Sequence, residues 1–219
     1  IKNQYLKKFL NKYKLNTKII DVSDKSFTKD INKIKNPYFY TRGNKENLRF
    51  IFSLANKFKL NKNYLINTIN NFKGLNFRQQ VIYNSKKLTV INDSKATSFS
   101  SSINILKSLD QVYWMVGGIP KSGDKFFMTK KQCKNFKAYI YGKNKIFFIK
   151  QLKSKLRYES FQNMRSALKK IIFDIKSKKN IFRNTILFSP SGASFDTYKN
   201  FEERGKKFNE FFEYFNLKK

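Results

Sequence analysis

The sequence contains no histidine, so it lacks the side chain that most often acts as a general acid or base near neutral pH. Its single cysteine, Cys133, excludes an internal disulfide framework and is compatible with a reducing cytoplasm. No cluster of cysteines or carboxylates has the spacing of a zinc-like site. No apolar run approaches the roughly 18 residues of a membrane-spanning helix. These absences predict a cytoplasmic protein with no membrane span and no metal ligands of its own.

Acidic residues are also scarce, because 14 Asp and Glu accompany 47 Lys and Arg in a chain of formal net charge +33. A concentrated basic patch would indicate a nucleic-acid partner, since clustered cations gain affinity for phosphates by releasing counterions. Here lysine is scattered through every segment, and the other abundant residues are those encoded by A/T-rich codons. Genomic drift explains all of these biases at once. We therefore expect no specific nucleic-acid partner, while a basic nucleic-acid-binding module stays the alternative.

The first third of the chain has a largely helical pattern of apolar residues. The predicted elements, in order, are a helix over 5–13, a strand over 18–22, an extended segment over 38–40, a helix from 43 and a helix over 61–72. Gly74 lies just past the last of these helices, where a glycine commonly ends a helix.

In the rest of the chain, predicted strands alternate with predicted helices. We expect a hairpin over 80–83 and 88–91, strands over 112–116, 138–141 and 185–188, and helices over 98–109, 160–176 and 197–215. This alternation is typical of the α/β class, with a mostly parallel sheet covered on both faces. We place the domain boundary near residues 74–80.

Three polar loops follow predicted strands, and in parallel sheets the carboxyl ends of the strands form the ligand crevice. The first loop supplies an acceptor, a cation and a hydroxyl in Asp93, Lys95 and Thr97. The second has a glycine pair followed by Lys121, which could bind an anion or could pair with Asp124. The third, residues 189–196, is rich in hydroxyl side chains. Each loop alone is equally typical of a turn or a helix cap, but their shared placement favours a site for an anionic ligand.

Together these segments resemble the Mur ligase family, and within it the branch that uses D-glutamate. The motifs are Ile91-Asn92-Asp93-Ser94-Lys95-Ala96-Thr97, Ser189-Pro190 through Asp196 followed by Lys199-Asn200-Phe201-Glu202 and Arg204-Gly205, Gly117-Gly118 with Lys121, Gly74-Leu75 with Arg78, and Asn44 with Asn47. The chain departs from the family pattern at Gly43, where His is usual, at Asn76-Phe77, where Pro-His is usual, and at Ser191-Gly192, where Ala-Cys is common.

The resemblance implies a Rossmann-like C-terminal domain over residues 77–219, preceded by the end of a central ATP-binding domain over residues 1–76. The GxxxxGK[ST] spacing of a P-loop is absent from the chain. We therefore expect a fragment of a monomeric ligase that is inactive alone, and a catalytically incomplete paralogue is the alternative.

The resemblance also implies a reaction and roles for individual residues. In this reaction of peptidoglycan synthesis, ATP phosphorylates the L-alanyl carboxylate of UDP-N-acetylmuramoyl-L-alanine, and the amine of D-glutamate then attacks the acyl phosphate. The reaction also uses Mg²⁺, whose ligands in the family lie mostly upstream of this chain. The implied nucleotide-binding residues are Asn44 and Asn47 for adenine, Asp93 for ribose and Arg78 for the phosphates. The implied D-glutamate-binding residues are Lys95, Thr97, Lys121, Ser194, Phe195 and Phe201, with Arg78 and Lys95 assigned to catalysis.

Overall fold

The computed structural model describes residues 30–40, 42–177 and 183–217, together with Lys8, Lys12, Tyr13 and Val22. The predicted helix over 5–13 and the predicted strand over 18–22 lie largely outside the described residues. The chain divides into two compact units, Ile1–Phe72 and Lys73–Lys219. The boundary that we expected near residues 74–80 stays a prediction.

In the first unit, two helices confirm the helical pattern: α1 spans Arg42–Lys57 and α2 spans Lys62–Asn71. Asn61 caps α2, because its side chain accepts hydrogen bonds from the backbone N–H groups of Asn63 and Tyr64. Five buried apolar residues of this unit form one cluster, namely Ile34, Phe39, Leu48, Phe52 and Ile69.

The extended segment predicted over residues 38–40 is wrong, because Pro37–Tyr40 forms a 3₁₀ turn. Two hydrogen bonds to Asn36 stabilise this turn. The Asn36 side-chain oxygen accepts from the Tyr38 N–H at 3.0 Å, and its backbone carbonyl accepts from the Phe39 N–H at 3.1 Å. A local side-chain acceptor of this kind favours a turn over a strand.

The second unit contains a six-stranded sheet with the strand order β1-β2-β6-β3-β4-β5. The strands are β1 Gln80–Asn84, β2 Leu88–Asn92, β3 Val112–Gly117, β4 Phe136–Tyr141, β5 Arg157–Phe161 and β6 Asn184–Phe188. β1 pairs antiparallel with β2 as the predicted hairpin, and every other pairing is parallel. The mostly parallel sheet is confirmed.

Helices cover both faces of this sheet, as the alternating pattern predicted. They are α3 Phe99–Leu106, α4 Lys145–Leu152, α5 Met164–Ser177 and α6 Phe201–Leu217. α3 and α4 share one apolar cluster with alternate strand residues, while α5 and α6 share the other. Among the described residues, no helix combines the length and the apolar composition that crossing a bilayer requires.

The sequence interpretation missed α4 and β5, and it began the helix over 160–176 too early. Ser160 lies in β5, paired in register with Ile140, and α5 begins only at Met164. β5 is an edge strand with a largely exposed, polar sequence, so its apolar signal is weak. The last helix likewise begins at Phe201 and not at 197. Asn200 caps it, because the Asn200 side chain accepts a hydrogen bond from the N–H of Glu203, the third residue of the helix, at 2.8 Å.

A network of charged groups fastens α5 to β4 and β5. Asp174, which is 7% exposed, accepts hydrogen bonds from Lys137 Nζ at 2.7 Å, from the Tyr139 hydroxyl at 2.5 Å and from Lys170 Nζ. Lys137 Nζ also lies 2.5 Å from Glu159 Oε1. Burial alone would raise the pKa of Asp174, but its three donors hold that pKa below the ordinary value.

We predict that Asp174→Ala lowers the free energy of unfolding by about 3 kcal/mol at pH 7, because Lys137 and Tyr139 lose their acceptor. The pKa of Asp174 is lowered in the folded state, so its stabilisation exists above the ordinary value and is lost as the pH falls. Urea unfolding should therefore show the difference shrinking below about pH 4. Asp110→Ala, at an exposed aspartate, is the control and should cost less than about 0.5 kcal/mol. Equal losses for the two variants would contradict this account.

Candidate functional site

The three polar loops lie at one edge of the sheet in the second unit. β2, β6 and β3 are neighbours and run parallel, so their carboxyl ends lie side by side. The chain leaves β2 towards α3 on one face and leaves β6 towards α6 on the other face. Adjacent strands whose connections leave on opposite faces open a crevice between them, which is where ligands bind in such sheets.

The loops after β3 and β6 are joined by backbone hydrogen bonds. The Ile119 N–H donates to the Ala193 carbonyl at 2.8 Å, and the Ala193 N–H donates to the Ile119 carbonyl at 2.7 Å. Gly118 has φ +103°, and a Cβ there would lie 2.3 Å from the Ala193 oxygen. Gly118 is thus required by the close approach of the two loops, whereas a Cβ at Gly117 would lie 2.5 Å from the Tyr141 carbonyl oxygen of β4. The pairing brings Lys121 and Ser194, which follow the paired residues, onto adjoining loops.

A buried guanidinium connects the loops after β2 and β6. Arg204 of α6 is 1% exposed and donates from Nη2 to the Ser94 carbonyl at 2.7 Å, from Nε to the Ser94 hydroxyl at 3.1 Å and from Nη1 to the Gly192 carbonyl at 2.8 Å. Burial lowers the pKa of Arg204, partly offset by Tyr141 and Asp196. Sequence reasoning noted Arg204 only as part of a motif, because its partners are more than 100 positions away or on another loop.

Asp93 is held by donors on both of its carboxylate oxygens. The Gln79 N–H donates to Oδ1 at 3.1 Å, and the Ser189 hydroxyl donates to Oδ2 at 3.0 Å. Burial raises the pKa of Asp93 to about 7, although these two donors and the charge of Arg78 oppose the rise. A carboxylate has about four acceptor positions, so two remain for hydroxyl groups of a ligand.

A chain of buried hydroxyl groups continues from Asp93 into the sheet edge. Ser189 Oγ lies 2.7 Å from Ser102 Oγ, and the Ser191 hydroxyl donates to the same Ser102 oxygen at 2.7 Å. The Ser189 carbonyl accepts from Trp114 Nε1 at 2.8 Å. Sequence reasoning missed this chain, and the only available signal was the excess of serine at 98–102 and 189–194.

Lys95 is half-buried, and its Nζ lies 4.0 Å from the centre of the Phe201 ring. This cation–π contact holds the ammonium at the start of α6 without neutralising its charge. The Phe201 carbonyl accepts from the Ser94 hydroxyl at 2.8 Å, which ties the same residue to the loop after β2. Thr97 is exposed on that loop, just before α3.

Lys121 is exposed and has no carboxylate within 4.0 Å among the residues that the structure describes. The alternative pairing with Asp124 does not form. The Asp124 carboxylate instead accepts from the Phe99 N–H at 2.6 Å, at the first residue of α3. An acid in that position is favoured by the partial positive charge of a helix N-terminus. Lys121 is therefore available for an external anion.

The remaining predicted site residues differ in their exposure. Arg78 is exposed before β1, and Phe195 is 71% exposed on the loop after β6. Ser194 is buried on that same loop. In the first unit, Asn44 is buried on α1 and donates from Nδ2 to the Tyr38 carbonyl at 2.7 Å, while Asn47 is exposed and donates to the Asn44 side chain at 3.5 Å.

The departure from the family pattern at Phe77 has a clear packing role. Phe77 is buried with φ +60°, and its carbonyl accepts from the Lys95 N–H at 3.0 Å. A Cβ at Gly205 would lie 2.3 Å from the Phe77 ring, so only glycine fits at this point of α6. The segment before β1 is thus attached to both the loop after β2 and α6.

Within the described part of the chain, no group of three or more Asp, Glu, Cys or His residues could hold a metal ion. The side chains at this edge are instead cations, hydroxyls and one carboxylate. This chemistry suits the binding of anions and of ribose-like hydroxyl pairs.

We predict that Asp93→Asn stabilises the fold above pH 7. The folded pKa of about 7 exceeds the ordinary 3.8, so wild-type stability falls as the pH rises through that window. The amide keeps an acceptor for Gln79 and a donor for Ser189 but never ionises. The gain in unfolding free energy should be small at pH 4.5 and reach at most about 4 kcal/mol at pH 8, by urea denaturation. A gain that does not change with pH would contradict the prediction, and Asp110→Asn is the control.

No protein-family model matches the chain. It is 34% identical over 165 residues to the UDP-N-acetylmuramoylalanine--D-glutamate ligase of Rickettsia prowazekii (strain Madrid E), an alignment that covers 75% of this chain and 37% of that protein. The corresponding ligase of Francisella philomiragia subsp. philomiragia is 29% identical over 200 residues, with 90% of this chain and 44% of that protein covered. The chain thus spans less than half the length of these curated relatives.

Two solved structures share the fold at low sequence identity. UDP-N-acetylmuramate-alanine ligase MurC from Thermotoga maritima gives a TM-score of 0.50 at 14% identity, covering 81% of this chain and 39% of that one. MurF from Acinetobacter baumannii gives 0.52 at 16%, covering 77% and 38%. By sequence and by fold, the chain belongs to the Mur ligase family, and its sequence is similar to the UDP-N-acetylmuramoylalanine--D-glutamate ligases within it.

Proposed function

We propose that this chain forms part of an ATP-dependent ligase that joins D-glutamate to UDP-N-acetylmuramoyl-L-alanine in peptidoglycan synthesis. The observation that carries the proposal is the meeting of three motif-bearing loops, after β2, β3 and β6, at one sheet edge. The relatives named above align with 75% and 90% of this chain. We further propose that residues 1–76 belong to a central ATP-binding domain and residues 77–219 to the C-terminal domain of a cytoplasmic monomer.

The proposed nucleotide contacts use Asp93 and Arg78 in the second unit. The two free acceptor positions of Asp93 suit the two hydroxyls of a ribose, and the exposed guanidinium of Arg78 suits bidentate contact with phosphate oxygens. Asn44 and Asn47 of the first unit are proposed to face adenine, since side-chain amides both donate and accept. Bound ATP with Mg²⁺ would supply the phosphoryl group, and the described residues offer no metal site of their own.

The proposed D-glutamate site uses the charges and hydroxyls of all three loops. Lys121 would bind one carboxylate of the dianion, because no described carboxylate neutralises it. Lys95, held over Phe201, would supply the second cation, and Thr97 and Ser194 would donate hydrogen bonds. Backbone groups near Phe195 and Phe201 would complete the site. A small dianion needs this excess of donors to replace its hydration.

In the proposed reaction, the L-alanyl carboxylate attacks the γ-phosphorus of ATP, which releases ADP and leaves an acyl phosphate. The D-glutamate amine then attacks the acyl carbon, the tetrahedral intermediate expels phosphate, and the amine loses a proton as the amide forms. Lys95 and Arg78 would stabilise the negative charge that develops on oxygen atoms. The main contribution of the three loops is to hold the amine in line with the acyl carbon.

The chain carries no P-loop, so we predict that the purified protein does not release phosphate from ATP in a D-glutamate-dependent way. A ligase in which this chain is joined to a P-loop domain should release phosphate in a D-glutamate-dependent way, whereas a catalytically incomplete paralogue would stay inactive. A coupled phosphate-release assay with and without D-glutamate decides between these outcomes. D-glutamate-dependent turnover by the chain alone would contradict the prediction.

In an active ligase that contains this chain, Lys121→Ala should raise the KM for D-glutamate far more than the KM for ATP. Loss of a charge-assisted hydrogen bond of about 1.5–3 kcal/mol lowers kcat/KM by roughly one to two powers of ten. The melting temperature should barely change, because an exposed lysine contributes little to stability.

The matched control is Lys125→Ala, which removes an exposed lysine from the same loop and should leave both KM values unchanged. Asp93→Asn should give the opposite pattern, with ATP affected first. If Lys121→Ala changed the KM values for D-glutamate and ATP equally, Lys121 would be an ordinary surface charge and not a D-glutamate ligand.

A further inference from the structure

A second cleft lies at the opposite edge of the sheet from the three loops. It surrounds the amino-terminal ends of β4 and β5 and has a volume of about 1050 Å³. Seven of its twelve lining residues are cations and one is acidic, compared with 47 cations among 219 residues overall. The cations are Lys130, Lys131, Lys134, Lys137, Lys153, Lys155 and Arg157. Drift explains the total number of lysines but not their concentration in one concavity.

Two of these seven cations have partners within the protein. Lys137 is paired with Asp174 and Glu159, and Lys155 Nζ donates to the Phe126 carbonyl. The other five line the cleft and are exposed, and none of them has a carboxylate within 4.0 Å among the described residues. A carbonyl carries no charge, so Lys155 stays uncompensated as well, and the cleft has an uncompensated positive charge of about six, which favours a polyanion.

The cleft also has an apolar side. Leu156 and Cys133 are buried in its wall, and Tyr158, which also lines it, is 38% exposed. Cations beside an accessible aromatic ring are the combination that binds single-stranded nucleic acid, because phosphates meet the cations while a base stacks on the ring. We propose that this cleft binds a single-stranded nucleic acid through its backbone, without sequence selectivity.

The exposed aromatic residue favours a single strand over two other polyanions. A duplex keeps its bases stacked inside and a bilayer has none, so neither offers a base to the ring of Tyr158. A single strand offers both phosphates and unstacked bases. None of the lining residues belongs to the proposed ligase site, so the proposal does not depend on that function.

The test is fluorescence anisotropy of a labelled oligo-deoxythymidine of about 20 nucleotides, titrated with the whole chain between about 50 and 200 mM KCl. Five phosphate contacts predict a slope of log K against log salt near −3.5, from about 0.7 per contact. The combined variant Lys131→Gln, Lys134→Gln, Lys153→Gln should lose at least about tenfold in affinity at about 100 mM salt and flatten the slope by about 2.

The matched control removes the same charge elsewhere in the second unit, by Lys86→Gln, Lys87→Gln and Lys107→Gln, all exposed. It should lose less than about twofold and keep the slope. Tyr158→Ala should lose about fivefold or more with an unchanged slope, and Tyr158→Phe should restore binding. Melting temperatures check that each variant is folded.

Equal losses in the two lysine variants would overturn the proposal, because binding would then reflect diffuse charge. Failure of the wild type to bind near 50 mM salt would also overturn it. The same holds if the cleft variant loses binding to phosphatidylserine vesicles but keeps its affinity for the oligonucleotide, which would assign the cleft to a membrane surface.

Discussion

The candidate site depends on one interaction, the contact of the buried Arg204 guanidinium with the loops after β2 and β6. A guanidinium that forms no ion pair within 4.0 Å among the described residues is costly to bury, and its hydrogen bonds to Ser94 and Gly192 must offset that cost. A Cβ at Gly118 would lie 2.9 Å from Arg204 Nη1, so the glycine there is required by the same contact. The loops that carry Lys95 and Ser194 thus owe their relative position to one buried side chain of α6.

The second constraint is that Asp93 is kept ionisable at a cost in stability. A carboxylate with only two protein donors and a pKa near 7 is less favourable for folding than an amide of the same shape. Its retention in a buried position is understandable if a ligand completes its hydrogen bonding. A buried ionisable group that lowers stability is typical of binding sites.

Much of the fold could be predicted from sequence, because β2, β3 and β6 are short apolar runs bounded by polar loops. The central placement of those three loops followed from the rule that parallel strands end at one edge. β5 could not be predicted, since an exposed edge strand has too few apolar residues to produce a period of two. The roles of Arg204, Gly118 and Phe77 could not be predicted either, because each is set by a contact with a residue distant in sequence. The first helical residue of α6 depended on a cap at Asn200 that competing hydroxyls nearby obscured.

The central proposal is that the three loops at the carboxyl ends of β2, β3 and β6 form a D-glutamate site. The most direct measurement is a titration of the ¹⁵N-labelled chain with D-glutamate and, separately, with L-glutamate, followed by amide chemical shifts. The account predicts shifts concentrated at residues 94–97, 118–122, 193–195 and 201, and larger for the D enantiomer. Shifts spread over surface lysines, or equal for the two enantiomers, would contradict it.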